Sequence, residues 1–407
     1  MRVLIHGINY TPELTGIGKY TGELAEWLSA QGYEVRVVTA PPYYPEWKVG
    51  NGYCAYTYHH ENIAGVDVWR CPLCVPVKPS GLKRILHLAS FALSSLPIMF
   101  KQLFWHPDLV MVIEPPLFCA PTALLISKLS RAKTLLHIQD FEIDAAFNLG
   151  LLKAPILRWC VAGLEKMLLR FFDRVSTISH NMITKLGEKG LGAERIQFFP
   201  NWVDTRTIYP LKNTSPMRAE LGIDDDAIVA LYSGNMGEKQ GLEIIIDAAK
   251  QLTKHPRLVF VMCGDGAACR RLKNMADGLT TIIWLPLQPL EKLNILLNLA
   301  DIHLLPQRGD VADLVMPSKL TGMMASGRAI LATAQKGTQV ARVLEQAGVI
   351  VPPGDSSRFV EALKFLADNF ELRKKLGEKA RQYALENLDR EVVLSQFEQD
   401  LKTLCGQ

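Results

Sequence analysis

The stretch DIHLLPQRGDVADLVMPSKLTGMMASGRAILAT, Asp301 to Thr333, decides the fold. It opens on Ile302 to Pro306, a short apolar run that reads as a buried strand. A polar loop follows. Met316-Pro317-Ser318-Lys319 then leads a helical pattern with Leu320, Met323 and Met324 on one face. Gly327 closes that helix, and Ala329 to Thr333 start the next strand. A proline in the first helical turn, with free N–H groups behind it, makes an anion cradle. Lys319 adds a point charge, and Leu320 and Thr321 are expected to supply backbone donors. An ordinary helix start of an α/β protein would read the same way.

The strand–loop–helix unit recurs on both sides of this stretch. In the second half, Ala227 to Ser233 runs into Gly234-Asn235-Met236-Gly237-Glu238-Lys239-Gln240-Gly241, with Leu242 to Leu252 helical behind it. Leu258 to Cys263 closes on Gly264-Asp265-Gly266. Strands are also expected at Thr280 to Leu285 and Gly348 to Val351, and helical segments finish the chain. In the first half, Val3 to Ile5, a loop holding Gly16-Ile17-Gly18, a helix from Tyr20 to Ala30 and the strand Glu34 to Ala40 make a βαβ unit. Two glycines around one residue either admit a ligand to the backbone or make a plain tight turn. The third glycine of a dinucleotide fingerprint is replaced by Thr21. Further strands read at Val66 to Arg70, Asp108 to Glu114, Thr134 to Ile138, Arg174 to Ile178 and Ile196 to Phe199, while Pro41 to Asn62 reads as an aromatic loop.

Alternation of strands and helices, restarting after a linker at Thr205 to Asp226, predicts two doubly wound parallel-sheet, Rossmann-like α/β domains facing across a cleft. The expected extents are 1–210, 211–385 and a C-terminal helix, 386–407, that crosses back to the first domain. Ligand groups lie past the carboxyl ends of parallel strands, which nominates His137 and Asp140 on the acceptor side. Asp140 would orient or deprotonate a hydroxyl, or cap the next turn.

Composition excludes several classes. The 407 residues are 48% hydrophobic and 21% charged, with a net charge of +4, and no basic run is interleaved with aromatics for nucleic acid. No secretory leader is read in Met1 to Gly7. Cys71-Pro72-Leu73-Cys74 lacks a second pair, so it is a weak zinc signal beside the alternative of free thiols in a reducing compartment. Leu82 to Trp105, interrupted by Pro97, and Leu151 to Phe172 are apolar helices flanked by Lys78, Lys83, Arg84, Lys101, Lys153, Arg158, Lys166 and Arg170. They are shorter in apolar run than the ~20 residues of a spanning helix. They suit either an anionic bilayer surface or a core with a solvated rim.

Taken together, several motifs resemble the family 4 glycosyltransferases, which have the GT-B fold. They are Thr15-Gly16-Ile17-Gly18, Gly32 to Thr39, Pro200-Asn201-Trp202-Val203-Asp204, Ser233-Gly234-Asn235 with Gln240-Gly241, Gly264-Asp265-Gly266, and Pro317-Ser318-Lys319 with Ala325-Ser326-Gly327. Within that family the chain is most similar to colanic acid exopolysaccharide transferases. The resemblance implies a retaining transfer without metal or other cofactor. It implies a nucleotide-sugar donor, GDP- or UDP-linked with GDP-fucose favoured, and a polyprenyl-diphosphate-linked saccharide acceptor at the inner face of the cytoplasmic membrane. It places the donor on Gly234, Asn235, Lys239, Gln240, Gly241, Gly264, Asp265, Pro317, Ser318, Lys319, Leu320 and Thr321, and the acceptor near Gly16, Ile17 and Gly18. Two departures stand out. Leu314 and Gly322 occupy the places of a family glutamate pair, the second of which binds ribose. Asn235 and Gln240 occupy those of an arginine and a lysine that grip the diphosphate. A nucleotide-sugar 2-epimerase and a non-catalytic partner of a membrane assembly share the expected fold.

Overall fold

The computed structural model describes residues 1–14, 16–77, 81–144, 155–309 and 317–406, without the side chains of 155–158 and Lys239. Thr15, Lys78, the start of the Leu151 to Phe172 run, Leu314 and Met316 therefore lie outside the described residues.

The chain divides into two compact units, Met1–Pro200 with Leu394–Gln407, and Asn201–Val393. The first unit's strands are β1 (Arg2–His6), β2 (Glu34–Thr39), β3 (His59–Ile63), β4 (Val66–Arg70), β5 (Leu109–Glu114), β6 (Lys133–Ile138), β7 (Arg174–Thr177) and β8 (Ile196–Phe198). They form one sheet in the order β3-β4-β2-β1-β5-β6-β7-β8. All neighbours are parallel except β3 against β4. The central strand β5, LVMVIE, is buried along its whole length, because helices on both faces of a parallel sheet leave no wet side.

β3 corrects the loop expected over Pro41 to Asn62. Its sequence, HHENI, is polar and mostly exposed, as an edge strand allows. The strand forms because Ala64 and Gly65 take φ of 49° and 83°, the left-handed pair of a tight hairpin turn. The helix Gly81–Lys101 corrects the expected interruption at Pro97. Proline leaves the Leu93 carbonyl without its helical donor, yet the helix continues through it, with Leu93 67% exposed.

The second unit holds β9 (Ile228–Ser233), β10 (Leu258–Cys263), β11 (Ile282–Leu285), β12 (Ile302–Leu305), β13 (Ala329–Thr333) and β14 (Val349–Val351). Their order is β11-β10-β9-β12-β13-β14, all parallel. Helix Glu243–Gln251 packs Ile245 and Ile246 into this unit's core, and helix Ser318–Ala325 packs Leu320, Met323 and Met324.

The last helix, Arg390–Cys405, starts in the second unit and ends in the first. There Phe397 stacks on Phe199 at 3.9 Å, Tyr33 Oη donates to Glu398 at 2.7 Å, and Gln197 donates to Asp400 at 2.8 Å. Phe397→Ala is expected to destabilise the first unit by about 3–5 kcal/mol, the usual cost of emptying a buried aromatic site. Urea unfolding followed by tryptophan fluorescence measures it, and a loss below about 1 kcal/mol would mean the helix end is not anchored there.

Candidate functional site

The carboxyl edge of the second sheet gathers the Gly loops. β9 runs into Gly234, whose φ of +132° suits glycine alone, and β10 runs into Gly264 at +140°. The two loops touch through bare backbone: a Cβ on Gly264 would lie 1.9 Å from the Gly234 carbonyl oxygen, and one on Gly266 2.6 Å from that of Met236. Met236 N–H donates to Asp265 O at 2.8 Å, and Ala268 N–H to Met236 O at 2.9 Å. Gly234, Asn235, Gly264 and Asp265 are thus brought together as the sequence reading expected.

Lys319 arrives from the helix Ser318–Ala325 and lies against Gly234, where its Cδ is 3.5 Å from a notional Cβ. Its ammonium sits 4.3 Å above the Tyr232 ring and donates to Tyr232 Oη at 3.2 Å. That phenol donates in turn to Asn235 O at 2.6 Å, so Tyr232 joins the two halves of the site. No carboxylate pairs with Lys319 among the described residues. Burial pushes its pKa down to about 7. A desolvated cation with no carboxylate beside it among the described residues is what an incoming anion would complete.

The helix start differs in detail from the expectation. Pro317 is the N-cap, with φ −60° and ψ 122°, and does not belong to the first turn. The Leu320 N–H is already given to Pro317 O at 2.9 Å. Thr321, the fourth helical residue, falls inside the ladder. The N–H groups left without a helical acceptor are those of Ser318 and Lys319. Gly322 has its notional Cβ 3.3 Å from Leu297 Cδ1, so a glutamate there would meet a packed leucine.

Gln240 and Gly241 close the short 3₁₀ turn Glu238–Gln240, and Gly241 takes φ of +63°. Sequence reasoning missed what packs on it. Arg308, just beyond β12, brings its Cγ to 3.0 Å from a notional Cβ on Gly241. A cation just past the end of a buried parallel strand was the available signal. Lys239's side chain lies outside the described residues.

In the first unit the same edge carries Gly16, Ile17, Gly18 and Asp140. Gly16 takes φ of +62°, and Gly18 makes room for Glu13, whose Oε2 would be 2.5 Å from a Cβ there. Glu13, also missed, is buried and accepts the Tyr43 and Tyr44 N–H groups at 3.0 Å and Asn9 at 2.9 Å. Burial raises its pKa while those three hydrogen bonds hold it back. The glycine spacing here serves the protein's own carboxylate.

His137 does not fit the catalytic role expected of it. It is buried, with Nδ1 on Ser176 Oγ at 2.9 Å and Nε2 on Gln139 Nε2 at 2.9 Å. Burial drives its pKa to about 3, so it is a neutral core residue with both ring nitrogens engaged. Asp140 is half-buried just past β6. Between β1 and β6, β5 ends in Glu114, which is buried with Oε1 unpartnered. Burial, reinforced by Glu142 and Glu165, raises its pKa well above the carboxylate range, making it a neutral donor at the strand end. Cys71 is buried and Cys74 exposed, both free.

Comparison with known proteins settles the family. Residues 15–202 match the model of the glycosyl transferase 4-like domain, and 213–383 match that of glycosyl transferases group 1. The chain is 46% identical over 410 residues to the putative colanic acid biosynthesis glycosyl transferase WcaI of Escherichia coli K12, covering 99% of this chain and 100% of that protein. The chain is a glycosyltransferase of the GT-B class. Sucrose-phosphate synthase of Thermosynechococcus elongatus shares this transferase's fold with a TM-score of 0.75 at 17% identity, over 100% of this chain and 99% of that one. HepE of Anabaena, solved with UDP and glucose, does so at 0.68 and 15%, over 99% and 100%.

Nucleotide affinity of the transferase should follow the Lys319 ammonium. Below pH 7 it is charged before the ligand arrives. Above its free pKa, binding must take up a proton, so affinity falls by about tenfold per pH unit. Calorimetric titration with GDP and UDP from pH 6 to 9 reads this slope, and Lys319→Ala is expected to abolish it.

Proposed function

We propose that the transferase moves a sugar, fucose from GDP-fucose by preference, onto a polyprenyl-diphosphate-linked saccharide in exopolysaccharide assembly of the colanic acid type. The observation that carries the donor side is the desolvated Lys319 beside Gly234, with no carboxylate partner among the described residues. A donor diphosphate would lie on Lys319, the N–H groups of Ser318 and Lys319, and the Gly234 and Gly264 backbones. Arg308 would supply the charge missing at Asn235 and Gln240. The second unit is then the donor domain and the first the acceptor domain, with Asp140 and Glu114 near the acceptor hydroxyl. Leaving-group charge is stabilised electrostatically as the anomeric centre gains oxocarbenium character. We read the reaction as retaining and metal-independent. The sequence likeness to WcaI favours the colanic acid setting.

Exposed apolar side chains support a lipid-linked acceptor and a peripheral site on the inner membrane face. Helix Gly81–Lys101 exposes Leu82, Leu86 and Leu93 beside Lys83 and Arg84, and Phe104 follows at 88% exposure. Packed alongside are Ala120–Ser130, exposing Leu125 and Leu129, and Pro155–Phe171, exposing Trp159, Met167 and Phe171. Gly81–Lys101 and Ala120–Ser130 contain no acidic residue. No helix among the described residues is long and apolar enough to cross a membrane.

Two measurements test the reading. In a thermal-shift panel of GDP-, UDP-, ADP- and CDP-linked sugars, GDP-fucose is expected to stabilise by about 2.7 kcal/mol at a hundred times its dissociation constant. No shift with any donor, alongside no transfer to a lipid-linked acceptor, would favour a non-catalytic partner. In sedimentation with anionic vesicles, Leu86→Glu with Leu93→Glu is expected to weaken binding at least tenfold, since each buried leucine contributes about 1.5–3 kcal/mol. Unchanged sedimentation would remove the membrane face from the proposal.

A further inference from the structure

The second sheet has another edge, and it too is built around charge. A cavity of about 490 Å³ lies across the amino ends of its strands. Four lining residues each stand immediately before a strand: Ala227 before β9, Arg257 before β10, Asp301 before β12 and Arg328 before β13. These strands are neighbours in the order β10-β9-β12-β13, so the four residues form a row. The row is separated from the Gly234 edge by the length of a strand, about 20 Å. Its volume falls within the ordinary range of small-molecule sites.

The lining holds five cations, Lys212, Arg218, Arg257, Arg328 and Arg373, against four carboxylates, Asp225, Asp226, Asp301 and Asp368. Arg218 is spent, with Nη2 on Asp301 at 2.7 Å and Nη1 on the carbonyls of Asp224, Asp225 and Ala227. That pairing engages Asp301 most closely. Arg328 donates through Nη2 to Asn298 Oδ1 at 3.1 Å, while its Nε is buried without a partner. Arg373 holds two helix-end carbonyls through Nη1, Leu366 O at 2.7 Å and Ala367 O at 2.6 Å. Arg257 is exposed and forms no ion pair among the described residues. Of the remaining acids, Asp368 faces His255 at 3.2 Å, and Asp225 and Asp226 are exposed to water. Burial depresses the pKa of both Arg328 and Arg373; Asp301 opposes this at both and Asp368 at Arg373, while Arg218 adds repulsion at Arg328 and Arg257 at Arg373. Three arginines thus line a polar cavity with one buried N–H orphaned. Guanidinium forks match phosphate oxygens, and orphaned buried donors call for an acceptor. Phe370, 63% exposed at the same cavity with the Arg373 guanidinium 5.8 Å from its ring, adds an apolar wall.

We propose that the amino edge of the second sheet, through Arg257, Arg328 and Arg373, binds a phosphate-bearing small molecule at a site separate from the donor loops. Strands β9, β10 and β12 run from this site to the Gly234, Gly264 and Arg308 loops, so an occupant here bears on the stiffness of the strands that hold them. The inference does not depend on which sugar nucleotide the transferase uses.

The test is calorimetric titration of inorganic diphosphate into the full-length Lys319→Ala protein, whose donor loops lack their buried cation. Saturable one-site binding is expected to survive that substitution. Adding Arg257→Glu, an exposed change that breaks no described contact, should weaken it by about tenfold or more, with the melting temperature of the free protein unchanged. Arg328→Lys, which keeps the charge but loses the fork, should weaken it as well. Absence of diphosphate binding in Lys319→Ala, or binding that Arg257→Glu leaves unchanged, overturns the proposal.

Discussion

The Gly-loop edge of this transferase's second unit depends on one backbone contact, Gly264 against the Gly234 carbonyl. Two loops from adjacent parallel strands can lie one on the other only where neither carries a Cβ. That contact sets the height at which Asn235 is presented. Asn235's carbonyl fixes the Tyr232 phenol, and the phenol receives Lys319. A side chain at either glycine would move the ammonium from its place by displacing the chain of contacts beneath it. The charge is held by backbone shape first and by side chains second.

The cost of this arrangement is visible in Lys319 itself. An ammonium taken out of water without a carboxylate loses hydration it does not recover in the free protein, and its pKa falls accordingly. The first unit shows the converse. Glu13 is buried too, but two backbone N–H groups and Asn9 satisfy it, so it pins a loop and leaves nothing for a ligand. Glu114, with one oxygen unpartnered, stands between these cases. Whether a buried charge is satisfied separates a structural group from a group that awaits a ligand.

The two edges of the second sheet use charge differently. At the carboxyl edge, glycines and a helix start leave backbone donors exposed beside one lysine. At the amino edge, arginines double as clamps for strand and helix ends, as Arg218 and Arg373 do, while lining a cavity. Arginine suits that dual task because its donors point in several fixed directions at once.

The sequence alone determined the strands and their alternation with helices, because a buried parallel strand is a continuous apolar run and its flanking glycines mark the turns. β4 and β10 were legible to the residue. Edge strand β3 was not legible, since an exposed edge carries no apolar period. The glycine loops and the helix start that bears Lys319 were legible because their chemistry is local to the chain. Tertiary structure decided what each group had left to offer. His137 looked available and is engaged on both nitrogens; Leu320's N–H looked free and is held by Pro317. Arg308, Glu13 and Glu114 were silent because their roles arise from neighbours far along the chain. The row at the amino ends of β9, β10, β12 and β13 exists only because the sheet sets side by side residues that the sequence keeps tens of positions apart.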